Sequence, residues 1–167
     1  NGQIASENLL RTFPNIQNKF KKEWLNQIDW QDAYKSFVKP WNDRLLYWIP
    51  LWAKNKYSPT EGSRQSTIYL DAGMAFGTGS HETTQLCASR LVDFYTDTNS
   101  HVSSGLNCRI VDAGCGSGIL ALSAASLGYR NIHAFDNDPS AIEVCHENLL
   151  HNPTLNSIKF SVADLDS

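Results

Sequence analysis

The sequence lacks the features that mark membrane proteins and nucleic-acid binders. No apolar run approaches the roughly 20 residues that cross a bilayer as a helix. The 14 Lys and Arg residues are outnumbered by 17 Asp and Glu residues, so the net charge is −3. Proteins that bind nucleic acid through its phosphates carry a local or overall basic excess. The sequence therefore favours a globular protein with no membrane partner and no direct nucleic-acid partner.

Cysteine is scarce and scattered. The four thiols, at Cys87, Cys108, Cys115 and Cys145, form no CxxC pair, and no histidine lies at zinc-ligand spacing from them. A structural zinc site or a disulfide framework depends on such spacing. Unpaired thiols in a chain with ordinary globular composition are typical of a reducing compartment. We therefore expect a cytoplasmic protein without a metal site.

Composition divides the chain near residue 59. All five tryptophans lie before that point, and apolar residues at i, i+4 steps predict a helix over 16–28. We interpret residues 1–59 as an aromatic-rich linker region whose rings pack against a neighbouring domain. Residues 60–167 form the second region, which we expect to be an incomplete domain.

Short apolar runs predict the elements around this boundary. One strand covers 45–49 and a second covers 67–70. The polar stretch between them contains proline and glycine and indicates a hairpin-like connection. A helix over 81–95 follows, with Ser80 as its predicted N-cap.

Strands and helices alternate in the last third of the chain. The apolar pattern predicts strand 108–111, helix 118–127, strand 131–135, helix 139–150 and strand 158–162. Asp138 is the predicted N-cap of the second helix, with Pro139 at its first position. Strands joined by helices pair in parallel through right-handed crossovers. The predicted fold class is therefore α/β: a partial Rossmann-like doubly wound parallel sheet, its first βαβαβ half, preceded by a helical and β-hairpin linker region.

A glycine loop follows the first of these strands, with the sequence Asp112-Ala113-Gly114-Cys115-Gly116-Ser117-Gly118. Glycines permit a tight turn and a close approach of a ligand to the main chain. A dinucleotide site presents such a loop to a pyrophosphate, which Asp112 would repel. S-adenosyl-L-methionine has no phosphate and carries a cationic amino group, so Asp112, Gly114 and Gly116 suit that cofactor. The alternative is that Asp112 is only a strand-end acid that bonds loop amides.

Acidic residues also follow the second and third strands. Asp136 lies 22 positions beyond Gly114, close to the offset of about 20 residues expected for a ribose-binding acid. Its carboxylate can accept hydrogen bonds from two vicinal hydroxyls, and its neighbour Asn137 belongs to the same candidate set. Asp164 can accept from an adenine amino group, with Asp166 as a competitor. The alternative for Asp136 is that it merely ends a strand.

The segment Asp71–Thr84, which contains AFGTGSHETT, resembles a segment that precedes the core in the PrmA family. That family consists of class I methyltransferases that modify ribosomal protein L11. Its D-x-GCGSGIL loop reads here as Asp112–Leu120, and the context of its second-strand acid is matched at Phe135–Pro139. The similarity covers roughly Trp24 to the end of the chain. The AFGTG segment is the more specific part, because the glycine loop is common to all class I methyltransferases.

The resemblance implies a protein N-methyltransferase that uses S-adenosylmethionine and methylates amino groups of ribosomal protein L11. It further implies that Thr84, Gly114 and Asp136 bind the cofactor. Phe76 offers an apolar wall in a segment that can fold over the cofactor, and Thr84 offers a hydroxyl. Without the resemblance, Thr84 is an ordinary residue of a first helical turn.

The family's acceptor-pocket motif and its substrate-recognition domain have no counterpart in these 167 residues. We therefore expect a fragment of a longer enzyme, without catalytic residues of its own and inactive alone. Its first strand would leave an uncovered sheet edge, through which copies can self-associate. Two alternatives stay open: a methyltransferase of the same core that acts on another protein lysine or a small molecule, and a non-catalytic module that binds S-adenosylmethionine.

Overall fold

The computed structural model describes residues 11–12, 38–57, 65–71, 79–97 and 108–165. The chain divides into two compact units, Asn1–Ala33 and Tyr34–Ser167. Residues 11–12 of the first unit are helical, and the helix predicted over 16–28 lies outside the described residues. The second unit contains two sheets and the candidate site. Within the described residues, no helix combines the length and the apolar character needed to span a bilayer.

A small three-stranded sheet opens the second unit. Strands β1 (Trp41–Asp43) and β2 (Leu46–Pro50) form an antiparallel hairpin, and β3 (Ser66–Leu70) pairs with β2. The β2–β3 pairing is parallel, with Leu46 opposite Ser66, so the predicted hairpin-like connection between these two strands is wrong. The hairpin lies one strand earlier. Strand β1 was not predicted, because it has only three residues, some of them polar, and such a short run shows no alternation of apolar and polar residues.

Helix α1 (Glu82–Thr96) follows the first sheet. Its N-cap is His81 and not Ser80 as predicted, because the His81 ring accepts a hydrogen bond from the backbone N–H of Thr83 at 3.3 Å. An imidazole nitrogen thus accepts the capping hydrogen bond that a hydroxyl or carboxylate oxygen usually accepts at this position. The buried face of the helix has i, i+4 spacing and consists of Thr84, Ala88 and Val92.

The second sheet is parallel, with the strand order β4-β5-β6. Its elements in chain order are β4 (Arg109–Ala113), α2 (Ile119–Ser126), β5 (Asn131–Asp136), α3 (Pro139–His151) and β6 (Ile158–Val162). This arrangement confirms the predicted βαβαβ unit and the α/β fold class. Asp138 is the N-cap of α3, as predicted, and accepts from the backbone N–H of Ser140 at 2.9 Å. Strand β4 continues two residues beyond its predicted end and takes in Asp112.

Helix α2 joins the two sheets. It packs against β3 of the first sheet and against β4 and β5 of the second. The indole N–H of Trp48 in β2 donates to the Ser123 hydroxyl in α2 at 2.9 Å, and both side chains are buried. A helix enclosed on several sides needs apolar or small residues around most of its circumference. This requirement explains the ILALSAAS sequence of α2.

Candidate cofactor-binding site

The glycine loop turns at the carboxyl end of β4 and is anchored on β5. The N–H groups of Gly114 and Cys115 both donate to the Phe135 carbonyl oxygen, at 2.9 and 3.0 Å. Gly114 has φ +70°, and a Cβ added there would meet no atom within 4 Å. Backbone conformation therefore demands this glycine, while the space beside it is open to a ligand.

Gly118, the N-cap of α2, is required for two reasons. Its φ is +77°, a left-handed conformation that glycine adopts without steric cost. A Cβ at this position would also lie 3.0 Å from the sulfur of Cys145 in α3. The end of the glycine loop, where α2 begins, therefore packs directly against α3.

Asp136 ends β5 and closes the glycine loop. One carboxylate oxygen accepts from the N–H of Gly116 at 2.9 Å, and the other accepts from the N–H of Asp138 at 3.0 Å. The structure thus brings together the loop and the acid that the sequence analysis selected. Each carboxylate oxygen can accept more than one hydrogen bond, so Asp136 retains acceptor capacity for ligand hydroxyls.

Asp112 lies inside the site and is only 9% exposed. One of its oxygens accepts from the backbone N–H of Ala121, in the first turn of α2, at 3.1 Å. This bond resembles the alternative role considered for Asp112, although the amide belongs to the helix and not to the loop. Burial raises the pKa of Asp112 to about 6, the Asp136 charge adds to this effect, and the Ala121 hydrogen bond opposes it. A nearby cation would stabilise the ionised form.

A cleft of about 120 Å³ lies between α1 and the glycine loop. Its lining residues are Thr83, Thr84, Cys87, Asp112, Gly114, Cys115, Ile119 and Leu120. Three candidate site residues, Thr84, Asp112 and Gly114, therefore border one cavity. Within the described ranges, no group of three or more His, Cys, Asp and Glu side chains is arranged to hold a metal ion.

The remaining candidates lie at the periphery or beyond the described residues. Asn137 follows β5 and is exposed. Asp164 follows β6, is also exposed, and accepts from the N–H of Leu165 at 2.7 Å. Neither borders the cleft. Phe76 and Asp166 lie outside the described residues.

Gly79 belongs to the AFGTG segment and lies just before α1, in a crowded position. Its φ is +77°, and an added Cβ would lie 2.6 Å from the indole nitrogen of Trp41 and 3.0 Å from the terminal carbon of Ile119. The Trp41 ring in turn stacks on Trp48, with centroids 3.8 Å apart. The aromatic first sheet therefore determines how the chain approaches Thr84 and the cleft.

Comparison of the chain with known proteins identifies its family. The family model described as ribosomal protein L11 methyltransferase (PrmA) matches residues 3–166. The chain belongs to the PrmA family. This finding confirms the resemblance drawn from the AFGTG segment and the glycine loop.

Individual members of the PrmA family show the extent of the match. The ribosomal protein L11 methyltransferase of Symbiobacterium thermophilum is 36% identical over 143 residues, which are 84% of this chain and 42% of the relative. That of Clostridium botulinum is 41% identical over 127 residues, 75% of this chain and 36% of the relative. The crystal structure of ribosomal protein L11 methylase from Lactobacillus delbrueckii subsp. bulgaricus gives a TM-score of 0.58 at 28% identity, over 74% of this chain and 57% of that one. The chain spans less than half the length of the two curated relatives.

Two buried asparagines, Asn148 in α3 and Asn152 directly after its last residue, support the site in this PrmA-family chain, and the sequence analysis missed both. The Asn148 side chain accepts from the N–H of Asp71 at 2.7 Å and donates to the Ser117 carbonyl oxygen at 3.0 Å. It thereby joins the glycine loop to the start of the AFGTG segment. Asn152 exchanges two hydrogen bonds with the backbone of Tyr69 in β3, at 2.9 and 2.7 Å.

A signal for these asparagines was present in the sequence. Three residues at helical spacing lie on the buried face of α3: Ala141, Cys145 and Asn148. The C-cap, Asn152, continues this spacing and is also buried. Amides on an otherwise apolar face must find partners, because a buried polar group without a hydrogen bond is costly. Their position thus indicated a polar contact, although not the strand and loop that supply it.

Proposed function

We propose that the protein containing this chain is a cytoplasmic methyltransferase that uses S-adenosylmethionine to methylate amino groups of ribosomal protein L11. The observation that carries the proposal is the glycine loop anchored on β5 and closed by Asp136, in a chain of the PrmA family. The names of its relatives supply the protein substrate. The cofactor follows from the chemistry of the site.

The residues of the site fit S-adenosylmethionine better than a dinucleotide. Asp112 borders the cleft as a buried carboxylate, and a pyrophosphate placed there would meet a like charge in a poorly solvated site. A cationic amino group at the same place would meet its counter-ion. Asp136 would accept from the ribose hydroxyls, and Thr84 would contribute a hydroxyl from the first turn of α1.

Peripheral residues complete the proposed site. Asn137 would flank the ribose, Asp164 would accept from the adenine amino group, and Phe76 would provide an apolar wall. When bound, S-adenosylmethionine supplies a methyl group activated by its sulfonium. The residues of this chain bind and orient it, and transfer to an amine then depends mainly on alignment of the acceptor and exclusion of water.

The test is titration calorimetry on the full-length protein with S-adenosylmethionine and, separately, with NAD. We expect binding of the first only. Asp136→Ala should weaken binding by about 1.5–3 kcal/mol, the range for hydrogen bonds to a charged group. Asp93→Ala is a matched control, because Asp93 is a half-buried acid on α1 that pairs with Arg44 outside the cleft.

Substrate identity needs a second measurement. Labelled S-adenosylmethionine is supplied with purified ribosomal protein L11, with other lysine-containing proteins, and with free amines. We expect label in ribosomal protein L11. Preferential labelling of another acceptor would replace the substrate assignment, and cofactor binding without any transfer would indicate a non-catalytic module. Unchanged binding by Asp136→Ala would remove the ribose assignment.

A further inference from the structure

Two of the four cysteines lie against each other beneath the glycine loop. The sulfur atoms of Cys115 and Cys145 are 3.7 Å apart, although 30 positions separate them in the chain. Cys115 lies within the loop itself, and Cys145 lies on the buried face of α3. The Cys145 thiol also donates to the Gly116 carbonyl oxygen at 3.1 Å. A pair of adjacent thiols thus supports the segment that is proposed to bind the cofactor.

We propose that Cys115 and Cys145 form an oxidation-sensitive dithiol, and that a disulfide between them displaces the glycine loop and weakens cofactor binding. Formation of the disulfide depends only on the two thiols and a small oxidant such as hydrogen peroxide. Its effect on S-adenosylmethionine rests on the proposed function. The two parts are therefore tested by separate measurements.

Closing the disulfide requires movement, and the packing determines which side moves. A disulfide has its sulfurs about 2.05 Å apart, so the two sulfurs must come closer than the present 3.7 Å. Cys145 is fully buried, and its sulfur already lies 3.0 Å from the position of a Cβ on Gly118. The face of α3 that carries Cys145 packs against β3, β5 and β6, so this sulfur has little room to move. The movement therefore falls mainly on Cys115 and its loop.

Displacement of Cys115 disturbs the contacts of the adjacent glycine. The N–H of Gly116 donates to Asp136 at 2.9 Å, and its carbonyl accepts from the Cys145 thiol. Disulfide formation removes the thiol hydrogen and with it the second of these bonds. The first bond fixes the carboxylate that would hold the ribose, so the oxidised protein should present Asp136 in an altered position.

The oxidation balances with hydrogen peroxide as the oxidant. The Cys115 sulfur attacks one peroxide oxygen, the O–O bond breaks, and a sulfenic acid and one water form. The Cys145 sulfur then attacks the sulfenic sulfur, the S–S bond forms, and the hydroxyl leaves with the remaining thiol proton as a second water. The two thiols lose two electrons and two protons in total. A dithiol reductant such as dithiothreitol reverses the reaction by exchange.

The surroundings of the two sulfurs set the order of these steps. Cys115 borders the cleft, which gives a small oxidant a route to it. Cys145 is fully buried, so the oxidant reaches Cys115 first and Cys145 then resolves the sulfenic acid. The hydrogen bond with Cys115 and burial raise the pKa of the Cys145 thiol, so its attack is the slower step. In reducing compartments, disulfides of this kind are transient and serve redox sensing.

The experiment treats the reduced full-length protein with graded hydrogen peroxide, blocks free thiols by alkylation, and maps the peptides by mass spectrometry. We expect a peptide pair linked through Cys115 and Cys145, which dithiothreitol separates. Calorimetry on the same samples should show S-adenosylmethionine affinity reduced roughly tenfold on oxidation, comparable to the loss of one hydrogen bond, and restored on reduction. Cys145→Ala should yield no cross-link, whereas Cys108→Ala, outside the cleft, should behave as the parent does.

Each failure has a separate meaning. Oxidation of the exposed Cys87 alone, with Cys115 and Cys145 still alkylated as free thiols, would overturn the dithiol proposal. A linked peptide with unchanged cofactor affinity would overturn the displacement of the loop. Reduced parent protein that does not bind S-adenosylmethionine would overturn the proposed function, while the mapping would still decide whether the dithiol exists. The mapping uses the parent sequence, so it stands even where Cys145→Ala does not fold, and Cys145→Ser provides a second variant.

Discussion

Replacing Asp112 with Asn removes a buried negative charge from the site and keeps an oxygen for the Ala121 N–H. The native carboxyl has a pKa of about 6, against 3.8 for an unperturbed aspartate, chiefly because it is buried. A difference of this size corresponds to about 3 kcal/mol of free energy that opposes folding when the group is ionised. We therefore expect Asp112→Asn to make the protein more stable at neutral pH.

The raised pKa of Asp112 also fixes the direction in which stability changes with pH. The folded-state pKa is raised, so the folded protein retains the proton between about pH 4 and pH 6, where the unfolded chain has lost it. The free energy of unfolding therefore falls as pH rises through this window. The free energy of unfolding of Asp112→Asn does not fall in this way. The difference in free energy of unfolding between variant and parent should therefore grow by about 2 kcal/mol between about pH 4.5 and about pH 7.5. A cost from the new amide group, about 1–3 kcal/mol if it lacks a partner, applies at both pH values and cancels from the difference.

The assay is urea unfolding of parent and variant, followed by circular dichroism at several pH values on the full-length protein. Asp164→Asn serves as the control, because it removes a carboxylate that is exposed at the same edge of the sheet. A pH-dependent change in stability that both variants share would not come from the burial of Asp112. If the advantage of Asp112→Asn is constant with pH, or shrinks as pH rises, the account of Asp112 as a desolvated carboxylate is wrong.

Binding should respond in the opposite direction. If Asp112 faces the amino group of S-adenosylmethionine, the variant loses affinity while it gains stability, a pattern common at functional sites. Affinity of the parent should rise as pH increases through about 6, because the ionised carboxylate is the form that attracts the cation. Methylthioadenosine, which lacks that amino group, should show no such rise. Equal pH profiles for the two ligands would place the amino group elsewhere.

Substitutions at three further positions test the residues that support the site. Gly79→Ala should lower the free energy of unfolding by about 1–3 kcal/mol in urea titrations, because its Cβ would overlap the Trp41 indole at 2.6 Å in a left-handed backbone conformation; unchanged stability would mean that the indole moves freely. Asn148→Leu should cost about 2–5 kcal/mol by removing the hydrogen bonds with the Asp71 N–H and the Ser117 carbonyl. Asn148→Asp should lose stability relative to the parent as pH rises, because an ionised carboxylate would be buried against the Ser117 carbonyl oxygen; a cost below about 1 kcal/mol for Asn148→Leu would contradict a bridging role. Thr84→Ala should weaken S-adenosylmethionine in calorimetry, and the segment 76–84 should gain protection from hydrogen exchange when the cofactor is added; equal exchange with and without cofactor would count against a segment that folds over it.

Local signals carried most of the fold prediction. Alternating apolar runs located β5 and β6, and the Asp138-Pro139 pair marked the start of α3, because caps and periodicity are set by residues within a turn of each other. The glycine loop and Asp136 were assigned to one cofactor site for a similar reason. Parallel strands joined by one helix bring their carboxyl ends to the same edge, so the order of elements fixes the neighbourhood.

Tertiary structure decided what depends on surfaces far apart in the chain. The parallel pairing of β2 with β3 requires a connection whose path its own residues do not specify, so turn residues between the strands were mistaken for a hairpin. The bonds of Asn148 to Asp71 and Ser117 and the contact of Cys115 with Cys145 span 30 or more positions. Sequence spacing showed that these side chains lie on a buried helix face or in a loop. Which groups meet them was determined only when α3 packed against both the first sheet and the glycine loop, because partners of buried polar groups and thiols are set by packing and not by the residues beside them.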